Sequence, residues 1–225
     1  MTEEEKRTYE AAADELDAVR LLCSALARLF SYPDLDAAAV FTDGQSLNFL
    51  ERLAQEAHLG DAVSVSVVQG CKAAANGEAD VRADRMRREF TRLFYRPNAP
   101  VPIEGRRSVR RVSTDVERKL GETASVLHQY RASGLKMRPD VSERADSLPT
   151  ELDFAAFLLE RETRFGREGN GAAALTWKRR RLHFAERHLA PLARAVVVGI
   201  REYADWPPLL YWAALLEAVA TRCMY

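Results

Sequence analysis

A chain of 225 residues with 33 basic and 33 acidic side chains carries no formal net charge. That balance argues against a general nucleic-acid binder, because displacing the counterions of a phosphate backbone takes net positive charge. Apolar residues make up 47%, enough for an ordinary core in one domain or two small ones.

The opening MTEEEKRTYEAAADELDAVR is acidic and polar. It has neither the basic start nor the apolar run of a secretory signal. No later stretch approaches the ~20 apolar residues of a membrane span, so no stable membrane insertion and a cytoplasmic location are expected. DELDAVRLLCSALARLFSYP carries Leu16, Val19, Leu22, Cys23, Leu26 and Phe30 at helical spacing and stops near Pro33. SLNFLERLAQEAHLG repeats the pattern with Leu47, Leu50, Leu53 and Ala54 and ends at Gly60. A helix is expected over about 62–75, although the alternating Val63, Val65, Val67 and Val68 are also compatible with a strand. DVRADRMRREFTRLFY is a charged amphipathic helix with Val81, Met86, Phe90, Leu93 and Phe94 on its apolar side.

Pro97, Pro100, Pro102 and Gly105 then break the pattern, predicting an irregular connector over about 96–107. A long helix follows to Gly134, then a polar loop with Pro139, then a helix from Ser147 to about Phe165. GREGNG is a turn, 172–189 is a further helix, Pro191 opens another to about Ala204, and 209–224 closes the chain after DWPP. The expected class is all-α: a single domain over 1–225 of roughly nine to ten helices, with the alternative of two helical halves joined by the Pro-rich loop. Trp206, Tyr211 and Trp212 are expected in the core of the last helix.

The stretch RADSLPTELDFAAFLLE holds an unusual carboxylate. Asp146 or Ser147 can cap the helix, Pro149 fits its first turn, and acids suit that end of the dipole. Asp153 points outward with Glu160. Glu151, at about 100° per residue, falls among Leu148, Phe154, Ala155, Leu158 and Leu159. A buried charge survives only when paired. Glu151 is therefore expected to meet an internal arginine, a backbone donor, or a groove open to water and a partner.

Other chemistry-bearing patterns are weak. The cysteines Cys23, Cys71 and Cys223 form no CxxC pair, and His58, His128, His183 and His188 share no ligand spacing, so neither a metal site nor a disulfide framework is expected. No phosphate loop, nucleophile elbow or metalloprotease motif occurs. The arginines from Arg82 to Arg111 read as a solvated helix face with intrahelical pairs, or as a docking surface for an acidic partner or anionic cofactor. WKRRRLHF has the look of a basic aromatic patch, which the neutral net charge counts against.

Three segments, in order, resemble the TorD-like redox-enzyme maturation chaperones. FTRLFYRPNAPVPIEGRRSV resembles the family's helix end and Pro-rich loop, with Leu93, Phe94, Pro97, Pro102 and Glu104 in matching places. ERADSLPTELDFAAFLL resembles the family signature through Glu143, Asp146, Leu148, Glu151, Leu152 and Phe154. HLAPLARAV resembles the family's last motif through His188, Leu189 and Pro191. Arg144, Ser147 and Leu192 stand where the family has proline, histidine and tryptophan, and Gly105 where a serine is common. The resemblance runs from about Leu21 to Ala220.

The resemblance implies a cytoplasmic chaperone without catalysis or cofactor. Its partners would be a molybdopterin oxidoreductase catalytic subunit and that subunit's twin-arginine leader, bound before cofactor insertion and export. It implies a client- or leader-binding set of Glu104, Glu143, Asp146, Glu151, Asp153, Phe154 and His188. Paired arginines followed by an apolar segment call for carboxylates beside an apolar groove. No nucleic acid is expected, and the protein is read as a monomer or homodimer. The rival readings are a helical scaffold or adaptor for an unrelated partner, and an enzyme using Glu151 and Asp146 as an acid–base pair, which lacks an accompanying nucleophile, metal or phosphate site.

Overall fold

The computed structural model describes residues 3–105, 116–137 and 144–225, with side chains placed over 12–105, 121–137 and 144–225. Helix α1, Glu3–Phe30, buries the predicted stripe of Val19, Leu22, Cys23, Leu26 and Phe30. A short helix not foreseen from periodicity follows: α2, Leu35–Phe41, begins where Asp34 Oδ1 accepts from the Ala37 N–H at 2.7 Å. Asp43 caps α3, Gly44–Glu56, in the same way through the Ser46 N–H.

The valine run is helical. After a 3₁₀ turn at Gly60–Ala62, α4 spans Val65–Ala75. A strand would have placed Val63, Val65 and Val67 on one face. In the helix Val65 is exposed, Val67 and Val68 pack against the core, and Cys71 is buried one turn later. Gly70 lets the helix approach Pro207, where an added Cβ would come within 3.0 Å of the proline ring.

Helix α5, Ala79–Phe90, continues into a π-helical turn, Thr91–Tyr95, which places Leu93 and Phe94 inward beside Phe90. Arg92 pairs with Glu89 within this segment, as expected for a solvated face, whereas Arg85 lies over the Trp206 ring. From Arg96 to Glu104 the backbone is irregular, as predicted; Arg106 and Arg107 lie outside the described residues. The loop is no solvent-exposed connector. Ala99, Val101 and Ile103 are buried, and Val101 sits where a Cβ on Gly199 would be, 3.1 Å from its Cγ2.

The remaining helices are α6 (Val116–Ala132), α7 (Leu148–Arg167), α8 (Gly171–Phe184), α9 (Ala190–Tyr203) and α10 (Pro207–Arg222). Gly134 at φ +81 follows α6, and Gly169 at φ +74 makes the turn after α7, both conformations that glycine adopts at low cost. A second π-helical turn, Ala185–Leu189, joins α8 to α9. Pro191 has no N–H for the carbonyl one turn back, so the backbone widens there and His188 is carried inside.

Among the described residues there is no strand, only one isolated antiparallel bridge between Glu104 and Ser147. Helix α1 packs chiefly on α7, α7 on α8, α9 on α10, α2 on α5, and α4 on α10. The segments before and after the Pro-rich loop therefore interleave around one continuous apolar cluster instead of forming two halves. Trp206, Tyr211 and Trp212 are in that core, as expected.

The basic run in α8 hides a buried ion pair. Arg181 is 1% exposed; its Nε and Nη2 donate to Glu162 of α7 at 2.7 and 3.2 Å, and its Nη1 donates to the Cys223 carbonyl at 2.7 Å. Removing one member of such a pair strands the other charge in the core. Glu162→Ala is expected to lower the unfolding free energy by about 3–5 kcal/mol in urea titrations. Glu160→Ala, on the outer side of the same helix, is expected to change it by less than ~1 kcal/mol.

Candidate functional site: an acidic junction at the head of α7

The start of α7 is built by three pieces of chain. Ser147, not Asp146, is the N-cap: its Oγ accepts from the Thr150 N–H. The end of the Pro-rich loop runs antiparallel to this cap. The Gly105 N–H donates to the Asp146 carbonyl at 2.6 Å, and the Leu148 N–H donates to the Ile103 carbonyl at 2.9 Å. Helix α6 closes the third side, where an added Cβ on Gly105 would touch Glu122 Cγ at 3.4 Å and Asp146 Cβ at 3.6 Å. The tyrosine at the end of α6, Tyr130, donates its hydroxyl to the Ala145 carbonyl at 2.8 Å.

Four acidic side chains meet here. Asp146 is fully buried, and Arg144 Nε lies 3.3 Å from its Oδ1 and 3.6 Å from Glu104 Oε2. Asp146 is thus a member of a charged cluster, correcting the expectation that capping and the helix dipole account for it. Glu104 and Glu122 keep about a fifth of their side chains exposed. His188 reaches in from the second π-helical turn. Its Nδ1 donates to Glu122 Oε1 at 2.6 Å, and its Nε2 lies 3.2 Å from Ser125 Oγ. That carboxylate contact fixes the proton on Nδ1 and leaves Nε2 to accept from Ser125 in the neutral ring.

Glu151 is 1% exposed, and neither of its carboxyl oxygens has a hydrogen-bond partner. The sequence demanded an arginine, a backbone donor or an open groove; among the described residues none of these reaches the carboxyl group. The chain meets the cost differently. Burial, with Glu122 and Asp146 adding their negative fields, holds this carboxyl well above the usual carboxylate range, so the neutral acid is the form the interior accepts. Burial, with Glu151 next, likewise raises the Tyr130 phenol.

An aromatic wall stands behind the acids. Phe154 of α7 packs on Tyr130 at 4.5 Å and meets Phe184 edge-on at 4.7 Å, and Phe184 in turn lies 5.5 Å from the His188 ring. Of the predicted set, then, Glu104, Asp146, Glu151 and His188 converge, with Phe154 directly behind them. Asp153 faces outward on α7, and Glu143 lies outside the described residues. Glu122, Ser125 and Tyr130 were missed. For Glu122 and Tyr130 the signal was their spacing with Val126 along α6, which puts these three on one face; Ser125 gave none.

The model of the nitrate reductase delta subunit family matches residues 56–197, a span that holds every predicted site residue. The chain belongs to this family of TorD-like redox-enzyme maturation chaperones, which serve molybdoenzyme maturation and are not catalysts. The family's partner is a nitrate-reductase-like molybdoenzyme subunit. No curated protein matches the chain, and among the described residues no helix is long and apolar enough to cross a membrane.

The Glu151 geometry has a direct thermodynamic consequence. A carboxyl whose folded-state pKa is raised binds its proton more tightly in the native state than in the unfolded one. Stability is therefore lost as pH climbs above the ordinary carboxylate range, at up to about 1.4 kcal/mol per pH unit. Glu151→Gln is expected to be more stable than the parent at pH 7.5. Its advantage should shrink on acidification and vanish below about pH 4, where both side chains are neutral in both states. Thermal melts of the two proteins across this range check the convergence.

Proposed function

We propose that this chaperone acts in the cytoplasm on the N-terminal twin-arginine leader of a molybdopterin oxidoreductase catalytic subunit. It holds the apoenzyme before cofactor insertion and delays export until that step is complete. In this reading residues 1–225 work as one unit, and the described part of the Pro-rich connector, 96–105, is an internal wall of the site.

The observation that carries the reading is Arg144. A guanidinium belonging to the chain itself lies against Glu104 and Asp146, so the junction has the charge and shape to receive an arginine. Glu104 and Glu122, with part of each side chain at the surface, form the rim a leader arginine meets first. Phe154 and its aromatic neighbours provide the apolar surface for the segment that follows the paired arginines. His188 positions Glu122. Glu151 supplies a carboxyl held in reserve behind the rim, while Glu143 and the outward-facing Asp153 are read as further acidic contacts for the client.

Calorimetric titration with the leader peptides of the organism's molybdoenzymes tests this. One leader is expected to bind with a dissociation constant on the order of 1 μM, about −8 kcal/mol, and more weakly as salt is raised. Glu104→Gln should weaken it about tenfold, ~1.4 kcal/mol. Arg144→Ala should tighten it several-fold, because the internal competitor is gone. No heat with any leader, or affinity indifferent to both substitutions, overturns the reading.

A further inference from the structure

Cys23 in the middle of α1 and Cys223 at the end of α10 are both fully buried, with their sulfurs in contact at 3.9 Å across 200 residues of sequence. Both are free thiols. Each lies outside the family-matched span of 56–197, one on either side of it. Neither takes part in the acidic junction or in leader recognition as read above. The geometry needs little adjustment for a bond: the sulfurs must close by about 1.9 Å to reach a covalent S–S distance. We propose that Cys23 and Cys223 are a reversible oxidative modification site, joined as an intramolecular disulfide when the protein meets a hydroperoxide.

The chemistry divides between the two residues. The Cys223 sulfur attacks the terminal hydroperoxide oxygen and breaks the O–O bond. Cys223 becomes a sulfenic acid, and the alcohol departs carrying the thiol proton. The Cys23 sulfur then attacks the sulfenic sulfur; the S–S bond forms, and water leaves with the Cys23 proton. Two thiols lose two electrons and two protons, and one hydroperoxide becomes one alcohol and one water. The assignment of roles follows the surroundings. Cys223 lies at the C-terminal end of α10, in the turn that closes the helix, and its own carbonyl accepts from the Arg181 guanidinium, a cationic neighbour that favours a thiolate there. Cys23 lies in the middle of α1, deeper in the core, which suits the resolving partner.

Access runs through the end of α10. Cys223 sits in the turn that closes this helix, held by its N–H to the Val219 carbonyl at 2.9 Å and by its carbonyl to Arg181, and nearby Tyr225 is largely exposed. Opening of this final helical turn must release the Arg181 bond to the Cys223 carbonyl and the Arg222–Glu15 pair, but it is a local event that leaves α1 in place and so uncovers Cys223 before Cys23. Cys71 is an internal control: it is buried in α4, with burial pushing its thiol up to about 12.

The test is limited oxidation of the native full-length chain with hydrogen peroxide, followed by intact-mass and peptide analysis. The expected product is a monomer lighter by about 2 Da. Its cross-linked peptides contain Cys23 and Cys223, its Cys71 still alkylates, and dithiothreitol restores the parent mass. The bond closes a long loop, so the melting temperature should rise by about 5 °C. Cys71→Ala should oxidise in the same way. Cys23→Ala should stop at a Cys223 sulfenic acid that dimedone traps. Wild-type peptide mapping decides the matter even where Cys23→Ala does not fold. No mass loss, a bridge that includes Cys71, or disulfide between two molecules overturns the proposal.

Discussion

The site depends on two backbone hydrogen bonds. Gly105 to Asp146 and Leu148 to Ile103 fasten the end of the Pro-rich loop to the first turn of α7. Each satisfies polar groups that the burial of loop and helix start would otherwise leave unpaired. They also set where three of the four acids stand: Glu104 is held beside Arg144, Asp146 is turned under Gly105, and Glu151 falls one turn deeper. Prolines in the loop make this docking inexpensive, since they have already removed much of the freedom the segment would lose. At position 105 a Cβ would stand in ordinary van der Waals contact with Glu122 and Asp146, at 3.4 and 3.6 Å, so the loop end packs closely on both acids.

The same molecule handles two buried carboxylates in opposite ways. Glu162 receives a bidentate arginine that is itself anchored to a carbonyl, so the charge is kept and neutralised locally. Glu151 has no hydrogen-bond partner among the described residues, and burial shifts its carboxyl toward the neutral form instead. The first arrangement locks α7 to α8 and to the end of α10. The second stores unfavourable free energy at the head of the same helix, among leucines and phenylalanines.

How far the sequence was legible follows the range of the interactions involved. The long helices could be read because their apolar stripes repeat over several turns, as along α1 and α3. Helix α2 escaped because it has seven residues and buries one, Ala38, leaving only its aspartate cap as a signal. The π-helical turns escaped because a single widened turn does not disturb periodicity enough to be noticed. Arg181 looked like its neighbours in a basic run, and only α7 and α10 make it a core residue. Glu151 stood out for a local reason, its position on an apolar face. Its lack of any partner is a tertiary fact that no spacing encodes.

The contact between Val101 and Gly199 sets an order on the chain's own birth. The loop seats its valine in a notch that belongs to α9, nearly a hundred residues downstream, and His188 arrives only with the turn just before that helix. Domains emerging from the ribosome fold from the N-terminal side as far as their contacts allow. Here they allow little of the acidic junction until α9 has been synthesised. A half-made chain has its carboxylates but no walls to hold them.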